Sequence, residues 1–210
     1  MTPANFSVFF AMLCLTCWAG TSAVVVLLLI RRVKPASEAG AALEGVGAGA
    51  LWLGWLVAAV ATAGSLYYSE VAHFVPCELC WYQRICMYPL SAILLVAAIR
   101  QDRHVWRYAM PLAAVGAVIA VYHTQLQAFP AQHSFCSTLN PCTTRYVWEF
   151  GFVSLPFMAL TGFCFVMAML FVARLTDPGP LPVHGGGGAG SETEWTDADS
   201  ALETETMAAS

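Results

Sequence analysis

The chain has 210 residues, of which 59% are hydrophobic and only 10% are charged, and its mean hydropathy is +0.65. An ordinary soluble domain carries roughly 25% charged residues, so this composition excludes a soluble domain of the usual kind. The sequence also has no basic patch and no phosphate-binding glycine loop, which argues against a nucleic-acid or nucleotide partner.

Five apolar stretches predict helices that cross the lipid bilayer. Three of them are uncharged over 25, 23 and 24 residues, starting at Phe6, Gly47 and Phe150, whereas about 20 apolar residues suffice for one crossing. The span at 81–99 reaches a sufficient length only if Arg84 lies at the membrane edge. The apolar part of the span at 108–124 ends at about Tyr122 and is followed by a polar stretch. We interpret that stretch as an exit into water (His123, Gln125, Gln127, Pro130, Gln132 and His133). The sequence therefore predicts an all-α membrane protein with spans at 6–30, 47–69, 81–99, 108–124 and 148–173.

The remaining segments divide the chain into three parts. Residues 1–46 comprise the first helix and a connector (31–46) of Ala, Gly, Glu and Pro, and residues 47–174 contain the other four spans. Residues 175–210 carry seven acidic residues and no Lys or Arg. Such a segment buries too little apolar surface to offset its ordering entropy, so we predict a disordered, solvated tail rather than a binding segment.

The basic residues predict the orientation of the spans, because cytoplasmic loops retain Lys and Arg. With five spans, seven of the nine basic residues lie on one side, and only Arg84 and Arg145 lie on the other. This distribution predicts an outer N-terminus and a cytoplasmic C-terminus. The charges follow a long first apolar run rather than precede it, so we do not expect that span to be a cleaved signal peptide.

This topology sorts the eight cysteines into two groups. Two pairs, Cys77 with Cys80 and Cys136 with Cys142, are predicted on the outer side, where disulfides persist. The other four lie within spans (Cys14, Cys17, Cys86 and Cys164). Apolar burial makes a thiol inert, and a regular helix strains a disulfide between residues three apart, so we interpret these four as packing residues.

The first outer pair stands at a predicted helix start. A helix that begins at Pro76 places Cys77, Cys80 and Arg84 on one face. The unpaired backbone donors of the first turn, the helix dipole and the arginine then favour a thiolate. This predicts a lowered cysteine pKa and a poised redox pair. The alternative is an inert disulfide staple, with the arginine snorkelling to the lipid head groups.

The second outer pair lies in a loop of about 23 residues, which is long for a connector. Asn140-Pro141 predicts a turn that could close a small disulfide ring between Cys136 and Cys142. The residues alone leave both a structural staple and a redox relay open. A zinc site formed by the four outer cysteines is disfavoured, because structural zinc sites usually pair cysteines with two to four residues between them and Cys136 and Cys142 have five between them.

Three motifs in chain order resemble those of the disulfide bond formation protein B (DsbB) family. Residues 76–90 (PCELCWYQRICMYPL) are similar to the family's first redox loop and the helix after it. Residues 135–160 (FCSTLNPCTTRYVWEFGFVSLPFMAL) are similar to the second redox loop and last helix of the BdbC-type members of Gram-positive bacteria. Residues 122–127, with Pro130, resemble the stretch H-T-x-L-Q ahead of that loop. The resemblance covers about residues 50–173.

This resemblance implies a four-helix bundle in the bacterial cell membrane that oxidises a soluble, thioredoxin-fold, DsbA-like protein. The electrons would pass to a membrane quinone, either ubiquinone or menaquinone. On this basis the disulfide Cys136–Cys142 accepts electrons from the partner and passes them by thiol–disulfide exchange to Cys77–Cys80.

The resemblance also assigns candidates on the quinone side. Cys80 would face the quinone ring, and Arg84 would stabilise the thiolate and the charge that develops on the quinol. His123 and Gln127 are further candidates on the quinone side. The alternative for His123 is a histidine at the membrane interface whose hydrogen bonds are satisfied and which has no role in quinone binding.

Two features depart from the family pattern. The helix 6–30, with Cys14 and Cys17, has no counterpart in four-helix members, and the short spacing of the second pair leaves open which of Cys136 and Cys142 is attacked first. Two other functional classes remain. One is a quinone-linked enzyme of the vitamin K epoxide reductase type, which would carry its C-x-x-C late in the bundle. The other is a membrane scaffold whose two stapled loops never exchange disulfides.

Overall fold

Five long α-helices make up most of the chain. The computed structural model describes residues 3–34, 38–132, 136 and 140–177, and the tail predicted to be disordered lies outside them from residue 178 onward. The helices are α1 (Pro3–Val33), α2 (Ala39–Leu66), α3 (Glu78–Arg100), α4 (Trp106–Ala128) and α5 (Leu155–Leu175). Each is long and apolar enough to cross a membrane, so the predicted all-α fold with five spans is confirmed.

Helices α2 to α5 form a four-helix bundle, and α1 packs on its outside. Within the bundle each helix packs against the next, and α5 closes the ring because it contacts both α4 and α2. α1 lies against α5 and α2. The predicted arrangement, a bundle with one additional N-terminal helix, is therefore also confirmed.

Small residues allow the bundle helices to approach one another closely. Gly116 of α4 faces the fully buried ring of Phe163 in α5, and a Cβ atom at Gly116 would lie 2.3 Å from two atoms of that ring. Buried alanines contribute to the same core (Ala50, Ala58, Ala109, Ala113, Ala117 and Ala120). Lipid tails are as apolar as leucine, so close packing of this kind, rather than removal of apolar surface from water, stabilises helix association in a membrane.

Two predicted segments are wrong at their ends. The connector 31–46 is much shorter than predicted, because α1 continues to Val33 and α2 begins at Ala39. Alanine, leucine and glutamate favour a helix even where apolar residues show no periodicity. The sequence pattern therefore missed the start of α2, residues 39–46. α4 continues to Ala128, so the polar stretch interpreted as an exit into water begins inside a helix, and its residues His123 and Gln127 are buried.

The last helix begins later than predicted, at Leu155 instead of residue 148. Ser154 is its N-cap, and Pro156 occupies the first turn, where a missing N–H leaves no bond unmade. The aromatic residues before it form a tight turn, in which Phe150 and Gly151 have φ angles of 51° and 79°. This left-handed backbone cannot continue a right-handed helix, although the stretch is apolar enough to suggest one.

Candidate active site

Cys77 and Cys80 lie in the first turn of α3. The helix begins at Glu78 instead of Pro76, and Cys77 is its N-cap, with extended backbone angles (φ −75°, ψ 173°). The two Sγ atoms are 2.9 Å apart, and both cysteines are free thiols. The predicted Cys77–Cys80 disulfide stays a prediction, and the structure has the two side chains next to each other as thiols. A pair that exchanges electrons passes through this state in each cycle.

The local environment favours a thiolate at Cys77. The hydrogen bond from the Cys80 thiol is the main reason that the pKa of Cys77 falls to about 4, despite the opposing effect of burial. His123 lowers the pKa of Cys77 further, and its Nε2 lies 3.7 Å from the Cys77 sulfur. The lowered cysteine pKa that the sequence predicts thus falls on Cys77, and a thiolate is the reactive form of cysteine.

His123 on α4 connects the first cysteine pair to the second. Its Nε2 lies 3.1 Å from the backbone oxygen of Cys142, and its Nδ1 lies 3.2 Å from Nε2 of Gln83. A carbonyl oxygen only accepts hydrogen bonds, so Nε2 carries the ring hydrogen and Nδ1 accepts one from the Gln83 amide. The ring, which is only 1% exposed, therefore directs one N–H group at both the Cys77 sulfur and the Cys142 backbone.

The second pair is a disulfide, Cys136–Cys142. Cys142 is 1% exposed and belongs to the same buried apolar cluster as Cys77, while Cys136 and Cys80 are only partly buried and pack against that cluster. All four cysteines predicted to lie on the outer side therefore come together at one end of the bundle, which we call the cysteine end. The partly buried Cys136 offers the more accessible sulfur of the disulfide.

Polar contacts hold the second loop against the end of α4. The Gln127 amide donates to the backbone oxygen of Thr144 at 2.9 Å, and the Arg145 guanidinium donates through Nε and Nη2 to the backbone oxygen of Gln127. Arg145 also lies over the ring of Trp148, 4.0 Å from its centroid, as in a cation–π contact. These contacts fix the backbone that follows Cys142 beside the first pair.

An aromatic stack joins the two loops that carry the cysteine pairs. Tyr68 lies in a π-helical turn (Tyr67–Val71) after α2, and its ring centroid is 5.7 Å from that of Phe74. Phe74 in turn stacks on Tyr146 of the second loop, with 4.8 Å between centroids. Each such pair contributes about 0.5–1.5 kcal/mol beyond the burial of its surface, so the stack packs the two loops together over the bundle.

A mostly apolar cavity of about 270 Å³ lies beside Cys80 and extends between the helices. Part of its lining is a polar cluster in which Arg84 and Tyr88 of α3 both bond to Ser65 of α2. We call this cluster, with Cys80 and Gln83 of the same helix α3, the polar end of the cavity. The rest of the lining is mostly aliphatic and aromatic, with the bonded pair Cys14 and Thr161 among it. Small-molecule sites in proteins have volumes of roughly 300–1,000 Å³, mostly apolar linings and a few convergent polar groups. This cavity is slightly smaller than that range, and its lining has the character of a ligand site.

Arg84 lines the cavity but is bonded to α2 rather than to either thiol. Its Nε donates to Ser65 Oγ and its Nη2 to the Ser65 backbone oxygen, both at 2.9 Å. The Tyr88 hydroxyl also reaches Ser65 Oγ, at 3.3 Å. A guanidinium has five N–H donors, so a ligand acceptor in the cavity can still be bound by Arg84 while Ser65 holds it in place.

The other two predicted quinone-side residues, His123 and Gln127, do not line this cavity. They line a second cavity of about 20 Å³, between the end of α4 and the second loop, together with Cys77. Cys80 is the cysteine that lines both cavities. The structure thus separates the predicted site residues into a group near the second loop and a group near the large cavity, with Cys80 between them.

A metal is a poor fit to the cysteine end. Cys77, Cys80 and His123 have potential ligand atoms within 4.8 Å of one another, and they form the only such group of three within the described ranges. The Nε2 of His123 carries a hydrogen that points at the Cys142 backbone, however, so it has no free lone pair for a metal ion. The arrangement suits thiol chemistry better.

Three contributors to this site were not assigned from the sequence: Gln83, Ser65 and Arg145. Gln83 sets the tautomer of His123, Ser65 holds Arg84, and Arg145 holds the second loop. Only Gln83 has a local signal, because an amide in a predicted span needs a buried partner. The roles of the other two depend on partners from distant parts of the chain.

Comparison with known proteins relates this chain to enzymes of disulfide formation. The sequence model of the family "Disulfide bond formation protein DsbB" matches residues 47–173. "Probable disulfide formation protein C 1" of Bacillus cereus is 44% identical over 126 residues, which are 59% of this chain and 90% of that protein. "Disulfide bond formation protein C" of Bacillus subtilis is 43% identical over 127 residues, 60% of this chain and 91% of the relative. "Probable disulfide formation protein" of Coxiella burnetii is 42% identical over 126 residues, which are 59% of this chain and 86% of that protein. No solved structure matches the chain significantly.

Proposed function

This chain belongs to the DsbB family of disulfide bond formation proteins, and we propose that it is a membrane thiol:quinone oxidoreductase that reoxidises a DsbA-like thiol oxidase. One observation carries the proposal: Cys142, Cys77 and Cys80 pack in one cluster, and Cys80, next to Cys77, also lines the apolar cavity. Such an arrangement supports electron transfer from a protein thiol at the bundle end to a quinone within the bundle. Disulfide formation in exported proteins is the outcome.

The reaction begins at the second pair. A thiolate of the DsbA-like partner attacks Cys136, because that residue is more accessible than the buried Cys142. A mixed disulfide between the partner and Cys136 forms, the Cys136–Cys142 bond breaks, and Cys142 leaves as a thiolate.

Exchange between the pairs follows. The Cys142 thiolate attacks Cys77 of an oxidised first pair, so a Cys142–Cys77 bond forms and Cys80 leaves as a thiolate. The partner's second thiol then displaces Cys136, and the partner departs with its disulfide. Cys136 attacks Cys142, which restores the second disulfide and frees Cys77. The net result is a second pair that is a disulfide and a first pair that is a dithiol, which is the state in this structure.

Stabilisation of the Cys77 thiolate drives this exchange. A dithiol whose thiolate is stabilised is a more oxidising couple, because its reduced form lies lower in free energy. The Cys80 thiol and His123 both donate hydrogen bonds toward the Cys77 sulfur and lower its pKa. Electrons therefore move from the second pair to the first. In this proposal His123 positions the two pairs and stabilises the thiolate, and Gln127 holds the second loop.

The cavity fits a quinone, either ubiquinone or menaquinone. A quinone has two carbonyl acceptors on an apolar ring, and the cavity offers the Arg84 donors at its polar end and hydrocarbon elsewhere. A bound quinone would supply the oxidant for closing Cys77 and Cys80 to a disulfide: it would accept two electrons, one proton from the Cys80 thiol and a second proton from water, because Cys77 is already a thiolate. Arg84, fixed by Ser65, supplies positive charge where the accepted electrons arrive. Cys80 is the thiol that faces this cavity.

The same proposal places the redox activity in residues 47–174, with the cysteine end outside the cytoplasm and the acidic tail inside it. Arg145 at the cysteine end and Arg103 and Arg107 next to the start of α4 lie at opposite ends of that helix. Basic residues are in excess at the end that carries Arg103 and Arg107, and this excess supports a cytoplasmic position of that end.

Quinone reduction by the purified protein tests the proposal. Reduced DsbA-like protein is the electron donor, ubiquinone and menaquinone analogues are the acceptors, and the variants are Cys80→Ser and, as a matched control, Cys86→Ser. Cys86 lies on the same helix but does not line the cavity. We expect turnover in the wild type and in Cys86→Ser and none in Cys80→Ser. A wild type without turnover on either acceptor would support a scaffold with stapled loops instead.

A further inference from the structure

Helix α1 forms one wall of the large cavity. Four of its residues line the cavity, Phe10, Leu13, Cys14 and Cys17, and they follow one another at intervals of three, one and three. These intervals place all four side chains on a single helix face. The pair Cys14 and Cys17, which the sequence suggests as packing residues, is thus part of a stripe that faces the cavity.

The stripe is docked firmly against the bundle. The Cys14 thiol and the Thr161 hydroxyl of α5 are 3.0 Å apart in a buried hydrogen bond. The ring of Phe10 lies directly on Gly64 of α2, where a Cβ atom would come within 2.9 Å of it. This close approach brings α1 to the cavity at the level of Ser65, the residue that holds Arg84.

This wall lies outside the part of the chain that matches the family. The family match begins at residue 47, after α1 has ended. The alignment with the Bacillus cereus protein leaves only about a tenth of that relative unmatched. The unmatched part of that protein is too short to contain a counterpart of the 31-residue α1. A contact of a ligand with α1 would therefore have no equivalent in that relative.

We propose that α1 forms a binding wall for the prenyl tail of the quinone, an inference that rests on the proposed quinone reduction. The hydrogen-bonding cluster at the polar end includes Cys80 and Arg84, so a quinone ring occupies that end, and the one hydroxyl beside the stripe, that of Thr161, is already bonded to Cys14 and to the α5 backbone. The stripe from Phe10 to Cys17 extends over about 10 Å of helix rise and offers only apolar side chains and thiols. A hydrocarbon tail attached to the ring fits that surface, and a free polar ligand does not. The extra helix thus raises the affinity for long-tailed quinones.

Binding measurements on a lining variant and a matched control test this wall. Leu13→Trp fills the cavity, whereas Leu15→Trp places the same side chain on the outward face of α1, where Leu15 is 37% exposed. Dissociation constants are measured for a long-tailed and a tail-free analogue of the same quinone. We expect Leu13→Trp to weaken binding of the long-tailed analogue about tenfold, the effect of losing the burial of about two methylene groups. The tail-free analogue should bind both variants as it binds the wild type.

A second measurement uses the unmodified protein and does not depend on the folding of a variant. A membrane-permeant thiol reagent labels Cys17, which lines the cavity, and Cys164, which is also partly buried but does not. We expect the long-tailed quinone to slow labelling of Cys17 at least fivefold and to leave Cys164 unchanged. Equal effects of the two tryptophan variants, or no protection of Cys17, would overturn the role of α1. Failure of the wild type to bind either analogue would instead refute quinone reduction itself.

Discussion

Replacing His123 with leucine should raise the pKa of Cys77 without restoring its ordinary value. The histidine directs its Nε2 hydrogen at the Cys77 sulfur over 3.7 Å, and Cys80 supplies the larger stabilisation, so Cys77 keeps part of its shift in His123→Leu. A hydrogen bond to a charged group contributes about 1.5–3 kcal/mol, and a contact as long as this one lies near the lower limit. One pH unit corresponds to about 1.4 kcal/mol, so we expect a rise of about one unit from the wild-type value of about 4.

The pH dependence of Cys77 alkylation measures this change. Only the thiolate reacts with iodoacetamide, so a pKa near 4 keeps Cys77 reactive down to pH values where ordinary thiols are inert. At pH 4 a rise of one unit lowers the thiolate fraction, and hence the alkylation rate, about fivefold. The protein is reduced anaerobically with one equivalent of dithiothreitol, which leaves the second disulfide closed, and the labelled residue is identified by mass spectrometry.

Two comparisons make this result decisive. Cys80→Ala removes the largest cause of the shift, so it should raise the pKa of Cys77 more than His123→Leu does. His104→Leu, at the other end of α4, serves as the matched control and should change nothing. Superimposable alkylation profiles for the wild type and His123→Leu would refute the role of the histidine. A larger effect of His123→Leu than of Cys80→Ala would reverse the order of the two causes.

Three further predictions concern the second loop and the bundle. The disulfide of an oxidised DsbA-like partner should be attacked by Cys136 in Cys142→Ser, whose remaining thiol is accessible, and not by Cys142 in Cys136→Ser, whose remaining thiol is buried; non-reducing electrophoresis after acid quenching detects the mixed disulfide. Gly116→Ala drives a Cβ atom into a buried ring and should destabilise the bundle by about 1–3 kcal/mol in thermal unfolding, whereas Gly49→Ala, which meets open space, should not. Arg145→Ala frees the second loop from the α4 carbonyl and should lower kcat several-fold without changing the KM for quinone; a changed KM alone would contradict this.

The fold was largely predictable because a lipid bilayer imposes one constraint on every span. A helix satisfies its own backbone, so an apolar run of sufficient length implies a helix without knowledge of its neighbours. The errors occur where that constraint ends. The start of α2 at Ala39 lies in a segment whose helix depends on propensity, and the turn at Phe150 and Gly151 depends on backbone conformations that hydrophobicity does not report.

The candidate site was predictable only where its chemistry is local. The spacing of Cys77, Cys80 and Arg84 places them on the first two turns of one helix, so the sequence identifies them together. His123 and Gln127 were misjudged as exposed because polar residues at the end of an apolar run normally face water. They are buried because a loop 17 to 19 residues later in the chain folds back on them, and no local pattern encodes that contact.

The two C-x-x-C pairs show why spacing alone does not determine redox chemistry. Cys14 and Cys17 have the same separation as Cys77 and Cys80, and the large cavity is lined by Cys14, Cys17 and Cys80. The pair Cys14 and Cys17 lies within α1, where the backbone donors are already paired inside the helix, and the Cys14 thiol is bonded to a neutral hydroxyl. Cys77 is an N-cap, with unpaired backbone donors ahead of it and an imidazole N–H directed at its sulfur. A thiolate is stabilised only in the second setting, so the same motif supports apolar packing within α1 and electron transfer at the start of α3.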